Sequence, residues 1–262
     1  MIGEKKSVGG RRQIFLLMLL FILLPFLGCV SAQKRIEQDQ KAQAHFKLGV
    51  SYLNDNNFQQ AFVEFQKALE LKPKDRDSRY AVGHIYYVWE KYPEAIKEFK
   101  TVVKNTPNDS EGHNYLGNIY AKQKRWEEAV DEYQKALSNP LYPTPDFTHY
   151  NLGRVYKKME KFEEAIDSLQ QAVRVNKGYA PAYFEMGEVY SEMGKVRFAI
   201  DSYKRAVESF PEYTQARYQL GLAYLKEGSK SLAQGEFQRV IELSPESNFA
   251  KESKTQLEQI RN

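Results

Sequence analysis

One cysteine, Cys29, occurs in 262 residues, so the chain cannot close an internal disulfide. No glycine-rich loop of the kind that cradles a phosphate is present, and no serine stands on a nucleophile elbow. Histidine is limited to His45, His84, His113 and His149, which lie too far apart in sequence for the i, i+4 pair that holds a metal on a helix. Carboxylates are plentiful. The adjacent ones, Glu127–Glu128 and Glu163–Glu164, open apolar helical segments, where they favour the positive end of a helix dipole. These absences predict a protein that is not an enzyme and uses no metal, cofactor or small-molecule substrate. Charge of one sign is also missing. The net charge is +4, and Lys5, Lys6, Arg11 and Arg12 carry it, with Glu4 the single acid beside them. The remainder has a net charge of +1 and no clustered basic face, so a nucleic-acid partner is not expected.

Long apolar runs are absent except for one, "IFLLMLLFILLPFLGCV", residues 14–30. A basic head followed by an uncharged segment has the layout of an export signal. At about 1.5 Å per residue the run barely reaches across a bilayer core of about 30 Å, and Pro25 interrupts it. Basic charge before the run keeps the N-terminus cytoplasmic and places the bulk of the chain outside. The twin arginines Arg11 and Arg12 fit a second export route, but so apolar a segment favours the general one. The alternative to cleavage is an uncleaved helix with an incidental cysteine. The end of the run, "FLGC", resembles the bacterial lipobox, with Phe26 where leucine is usual. That resemblance implies removal of residues 1–28 and acylation of Cys29. More than one acyl chain is what stable anchoring needs. Val30, rather than an aspartate, follows the cysteine, which in bacterial lipoproteins points to the outer membrane and its periplasmic face. Residues 29–41 form a lipidated N-terminus and a polar stretch that is either a tether or an early helix.

Repetition dominates what is present. From Ala42 the chain repeats every 34 residues, in units 42–75, 76–109, 110–143, 146–179, 180–213 and 214–247. The eighth position is always glycine (Gly49, Gly83, Gly117, Gly153, Gly187, Gly221), the eleventh always tyrosine and the twentieth always alanine. Position 24 is large and apolar: Phe65, Phe99, Tyr133, Leu169, Tyr203 and Phe237. Positions 4, 7, 8 and 11 share one face of a first helix, and 20, 24 and 27 one face of a second. A helical glycine costs about 1 kcal/mol against alanine, so six of them imply a shared steric need. The expected one is close approach of Gly49 to Ala61, and of its counterparts in each unit. The pattern is identified as that of the tetratricopeptide repeat. The resemblance implies an all-α solenoid of six helical hairpins wound as a right-handed superhelix, with residues 248–262 as a capping helix.

Positions 5, 9 and 12 form a stripe displaced from the packing face, and in tetratricopeptide domains that stripe lines a concave groove. It contributes the candidate partner-binding residues Phe46, Tyr80, His84, Tyr87, Asn118, Tyr150 and Arg154, with Phe46, Tyr80 and Tyr87 expected to cluster near Asn118. Aromatic side chains with polar tips are typical anchors for peptides. Phe184 and Tyr218 continue the row and fit binding and core packing equally well. Phe46 and Val50 stand where a carboxylate-clamping domain needs lysine and asparagine, so an apolar or extended segment is the expected ligand.

The period slips once, by Thr144 and Pro145 in "NPLYPTPDF", where three prolines forbid helix. Leu141 and Tyr142 are expected to pin this link to the repeats. On physics alone it is a longer turn. A lipobox, six repeats and the run "LYP" followed by "NLG" (Asn151, Leu152, Gly153) together resemble the type IV pilus biogenesis lipoproteins, the pilotins. Members of that family sit in the outer membrane and help the pilus secretin reach it and oligomerise. The resemblance implies a secretin subunit as protein partner and a lipid anchor as membrane contact. A lipoprotein scaffold for cell-wall enzymes or outer-membrane assembly is the other reading.

Overall fold

The computed structural model describes residues 33–261, so the export signal, Cys29 and the lipobox lie outside the described residues. Every described element is a helix, and no strand occurs among these residues. Helix α1 spans residues 33–54. It is followed by α2 (Phe58–Leu71), α3 (Arg76–Val88), α4 (Tyr92–Asn105), α5 (Ser110–Lys122) and α6 (Trp126–Leu137). Next come α7 (Pro145–Lys158), α8 (Phe162–Val175), α9 (Ala180–Glu192), α10 (Val196–Ser209), α11 (Thr214–Glu227), α12 (Lys230–Leu243) and α13 (Asn248–Arg261). This is the tetratricopeptide solenoid in six hairpins and a final helix. The chain divides into two compact units at Thr101/Val102. Of the two readings for the stretch before Ala42, the early helix holds, since residues 33–41 are the exposed start of α1. Lys41 bonds Glu37 at 2.7 Å there, and Asp39 pairs with Lys72 of the α2–α3 corner at 3.3 Å.

Each hairpin turns in the same way, and the sequence pattern did not announce how. The fifteenth residue of every repeat has a left-handed backbone: Asn56, Glu90, Lys124 and Glu160 at φ 57–58°, then Gly194 at 71° and Gly228 at 93°. The next residue donates its N–H to the carbonyl of the position-11 tyrosine, as Lys161 does to Tyr156 at 2.9 Å and Ser229 to Tyr224 at 2.8 Å. This six-to-one bond satisfies a helix-end carbonyl and reverses the chain. A side chain in that conformation costs about 1–2 kcal/mol, which glycine avoids at some expense in unfolded-state entropy. Glu160→Gly is therefore expected to stabilise the protein by about 0.5–1 kcal/mol in urea unfolding, whereas Gly194→Ala lowers stability by a similar amount.

The position-8 glycines have a different reason from the expected one. A Cβ on Gly49 would lie 2.6 Å from Phe65 Cε1, one on Gly117 2.6 Å from Tyr133 Cδ1, and one on Gly221 2.6 Å from Phe237 Cε1. The large side chain of position 24, not the alanine of position 20, therefore occupies the space. Phe65, Phe99 and Phe237 are fully buried as a result. At Gly153, where Leu169 replaces a ring, the backbone carbonyl of Ala165 lies 3.1 Å from the added Cβ.

A polar staple accompanies this packing. Position 4 of the first helix reaches position 23 of the second: His45 Nδ1 to Glu64 at 2.6 Å, Arg79 to Glu98 at 2.5 Å, His113 Nδ1 to Glu132 at 2.6 Å and Arg217 to Glu236 at 2.8 Å. Arg79, His113 and Arg217 also donate to the carbonyls of Pro73, Pro107 and Pro211. His113 keeps its charge more readily than a free imidazole. Burial opposes the charged form, but the Glu132 carboxylate and the Pro107 carbonyl outweigh it. Repeats four and five have Ser168 and Ser202 at position 23 and lack the pair. Burial accordingly lowers the pKa of His149.

The proline-rich slip is a built corner. Asn139 Nδ2 bonds Ser110 Oγ at 3.1 Å and its Oδ1 accepts from the Leu141 amide at 3.0 Å. Tyr142 is buried, with its hydroxyl 3.0 Å from Thr148 Oγ1, which lies 3.0 Å from Asn114 Oδ1. Leu141 departs from expectation: it is 86 % exposed and pins nothing, and Tyr142 is the one residue of the link from Pro140 to Thr144 that is buried. Pro145 opens α7 in the first turn, where its missing N–H costs nothing.

Position 7 shows what stacking supplies. Val82, Leu116, Leu152, Met186 and Leu220 are at most 9 % exposed, yet Leu48 of the first repeat is 43 % exposed, with no described hairpin before it to cover it.

Candidate peptide-binding surface

The candidate residues fall in both units, Phe46, Tyr80, His84 and Tyr87 in the first and Asn118, Tyr150 and Arg154 in the second. In the first unit, Tyr80, His84 and Tyr87 follow one another along α3 at i, i+4 and i+7 and so share a face. All three are half-buried, as is Phe46 on α1. Phe46 rests on Phe65 with ring centres 5.6 Å apart, and Tyr80 meets Phe99 edge-on at 5.6 Å beneath the Arg76 guanidinium at 4.9 Å. Tyr87 packs toward Tyr92 at 6.3 Å. Burial lowers the pKa of His84 and raises that of Tyr87, so the row is uncharged near neutral pH and presents ring faces with polar tips.

In the second unit the candidates do different work. Asn118 is a structural acceptor: its Oδ1 takes the Tyr133 hydroxyl at 2.8 Å and the Asn151 amide at 3.1 Å. Arg154 is exposed, lies 5.5 Å over the Tyr150 ring and reaches Glu185 at 3.5 Å. Beside it Lys157, only 14 % exposed, is ringed by Glu185 at 3.4 Å, Glu188 at 3.8 Å and Glu192 at 3.3 Å. Glu188 also accepts from the Tyr203 hydroxyl at 2.6 Å, and burial with that carboxylate drives the Tyr203 pKa far up. Phe184 and Tyr218 are 6 % and 9 % exposed, packed on Tyr203 and Phe237 respectively, so at these two positions core packing holds.

Two residues of this surface escaped the reading by stripe. Tyr179 packs edge-on against Tyr150 at 5.3 Å and Phe147 at 5.4 Å, and Tyr213 lies tilted on Phe184 at 5.2 Å. Both occupy position 34, just before a helix. The available signal was a missing cap: Asp75 and Asp109 stand at that position in the earlier repeats and accept from Ser78 N and Gly112 N. Burial pushes the hydroxyls of Tyr179 and Tyr213 up to about 12, so both remain protonated donors at neutral pH. Among the described residues no group of three or more metal-ligating side chains converges.

Family models described as tetratricopeptide repeat match residues 42–75, 109–178, 147–212 and 184–248, together about two thirds of the chain. Comparison with curated proteins by sequence finds no match. Among solved structures, the chain is similar to PilF of Pseudomonas aeruginosa at 22 % identity and a TM-score of 0.72, covering 84 % of this chain and 99 % of that one. PilW, described as a widely conserved type IV pilus biogenesis factor, aligns at 20 % identity and a TM-score of 0.71 over 80 % and 96 % of the two chains. YrrB, described as a repeat protein with an unusual peptide-binding site, aligns at 22 % identity and a TM-score of 0.59 over 73 % and 97 %. At these identities the likeness is one of fold. With the repeat matches and the hairpins in agreement, the chain belongs to the tetratricopeptide-repeat proteins.

Proposed function

We propose that the chain is a non-catalytic lipoprotein adaptor of the outer membrane, acylated at Cys29. It presents its aromatic surfaces to a secretin subunit and promotes secretin targeting and oligomerisation in type IV pilus biogenesis. The observation that carries this reading is the degree of the fold likeness: PilF and PilW each align over nearly their whole length at TM-scores of 0.72 and 0.71, above the 0.59 of YrrB. The junction at Leu141–Pro143 and the lipobox-like "FLGC" support it independently. Half-buried rings along α3 and around Tyr150 supply apolar contact area with polar tips, the usual composition of a peptide anchor.

Deleting the gene in the native host tests the proposal through the amount of heat-stable secretin multimer in outer-membrane fractions. Multimers are expected to fall sharply and to return with the wild-type chain. Cys29→Ala is expected to restore them poorly, because the adaptor no longer partitions with the outer membrane. Unchanged multimers and normal pili in the deletion strain would overturn the proposal.

A further inference from the structure

Repeats four and five share an arrangement found in no other repeat. Each places a ring at position 5 against a ring at position 34: Tyr150 with Tyr179, and Phe184 with Tyr213. Elsewhere position 34 holds Asp75, Asp109, Pro143 or Ser247. Three of those cap the following helix, as Ser247 does when its Oγ accepts from Ala250 N at 3.1 Å. Tyr179 and Tyr213 make no capping hydrogen bond. Helix α7, after Pro143, also lacks a side-chain cap, but only before α9 and α11 does a half-buried phenol stand where the cap would be. Among the described residues neither phenol has a hydrogen-bond partner. A local rule broken twice in the same way marks a site under another constraint.

The geometry points to a binding surface for a proline-rich segment in the polyproline II conformation, formed by Tyr150, Tyr179 and Tyr213 with Arg154. It rests on the adaptor reading and specifies the chemistry of the segment bound. The two ring pairs hold equivalent positions in consecutive repeats, on first helices α7 and α9 that come into contact. A polyproline II helix advances about 9 Å in each three-residue turn, so prolines three apart meet successive ring pairs. The surface presents donors: two free hydroxyls, and the Arg154 guanidinium held by Tyr150 and Glu185. A proline-rich backbone presents carbonyls and few N–H groups, which is the matching set. A cationic segment would instead meet Arg154, the exposed cation of the site, while Glu185 and Glu188 are already engaged by Lys157.

The test uses the full chain in detergent micelles with a fluorescein-labelled decaproline peptide, read by anisotropy. A glycine–serine decamer and a decamer of alternating lysine and serine serve as controls. Decaproline is expected to bind at least tenfold more tightly than either control. The double variant Tyr179→Asp/Tyr213→Asp restores the caps that Asp75 and Asp109 provide. It is expected to raise the unfolding midpoint while weakening decaproline binding at least tenfold. Tyr179→Phe/Tyr213→Phe, which removes only the hydroxyls, is expected to weaken it severalfold. Equal binding of all three peptides, tighter binding of the lysine peptide, or undiminished binding by the capped variant would overturn the assignment. Loss of decaproline binding by a chain that still supports secretin multimers would leave the adaptor reading standing, so the two failures are distinguishable.

Discussion

Gly221→Val is expected to lower stability by about 3 kcal/mol, because overpacking a filled core costs about 1–3 kcal/mol and a β-branched residue recovers little helix propensity. The Cβ would stand 2.6 Å from Phe237 Cε1, and Phe237 is fully buried, so the ring has nowhere to retreat. Phe237→Ala alone is expected to cost about 3–5 kcal/mol through the cavity it leaves. The double variant distinguishes this account from a generic intolerance of valine. Valine then fills part of the space the ring vacated, and the pair is expected to fall short of the sum of the singles by about 2 kcal/mol. Urea unfolding of the four proteins gives the coupling. Strict additivity would mean that glycine serves some other contact.

The second large effect is that of Glu132→Gln. His113 and Glu132 are 8 % and 12 % exposed, between the weak surface pairs and the costly buried ones, so breaking the pair is expected to cost about 2 kcal/mol. Its pH dependence follows from the directions of the two shifts. Burial raises the Glu132 pKa, but bonds from His113 and Lys135 outweigh it and hold the carboxylate below its usual range. Its contribution is therefore present above about pH 4.5 and lost as pH falls below. His113 is shifted upward, so its contribution is complete below about pH 6.5 and disappears as pH rises through the folded value. The penalty of Glu132→Gln should accordingly be largest near pH 5.5 and shrink by pH 9. His149, shifted downward by burial, adds an opposite slope in both proteins and cancels in the difference. Equal penalties at the two pH values would exclude the charged pair.

Much of the architecture was legible because the repeat period places the same residue type at the same helical position six times. What the period did not reveal was which partner each position meets. Gly49 was expected to face Ala61 and faces the Phe65 ring, since small residues reveal that space is needed but not what fills it. The position-4 and position-23 pairs lie 19 residues apart on different helices, so no single-helix pattern exposes them, although histidine or arginine accompanies glutamate in four repeats and the glutamate is replaced by serine in the other two. Among the stripe's candidates Tyr150 and Arg154 lie against each other, whereas Asn118 accepts from Tyr133 and Asn151. The stripe passed over Tyr179 and Tyr213, because position 34 belongs to a corner rather than to a helix face.

The half-uncovered Leu48 bears on how the protein comes apart. Stacked repeats exchange stability only with their neighbours, so a hairpin covered on one side holds less of it than one covered on both. Among the described hairpins the first is then the cheapest place for local opening, separating at a fraction of the free energy that unfolds the interior repeats. Fluctuations of α1 and α2 therefore need not propagate into the rings around Tyr150, and the protein can yield at its leading edge while that surface keeps its shape.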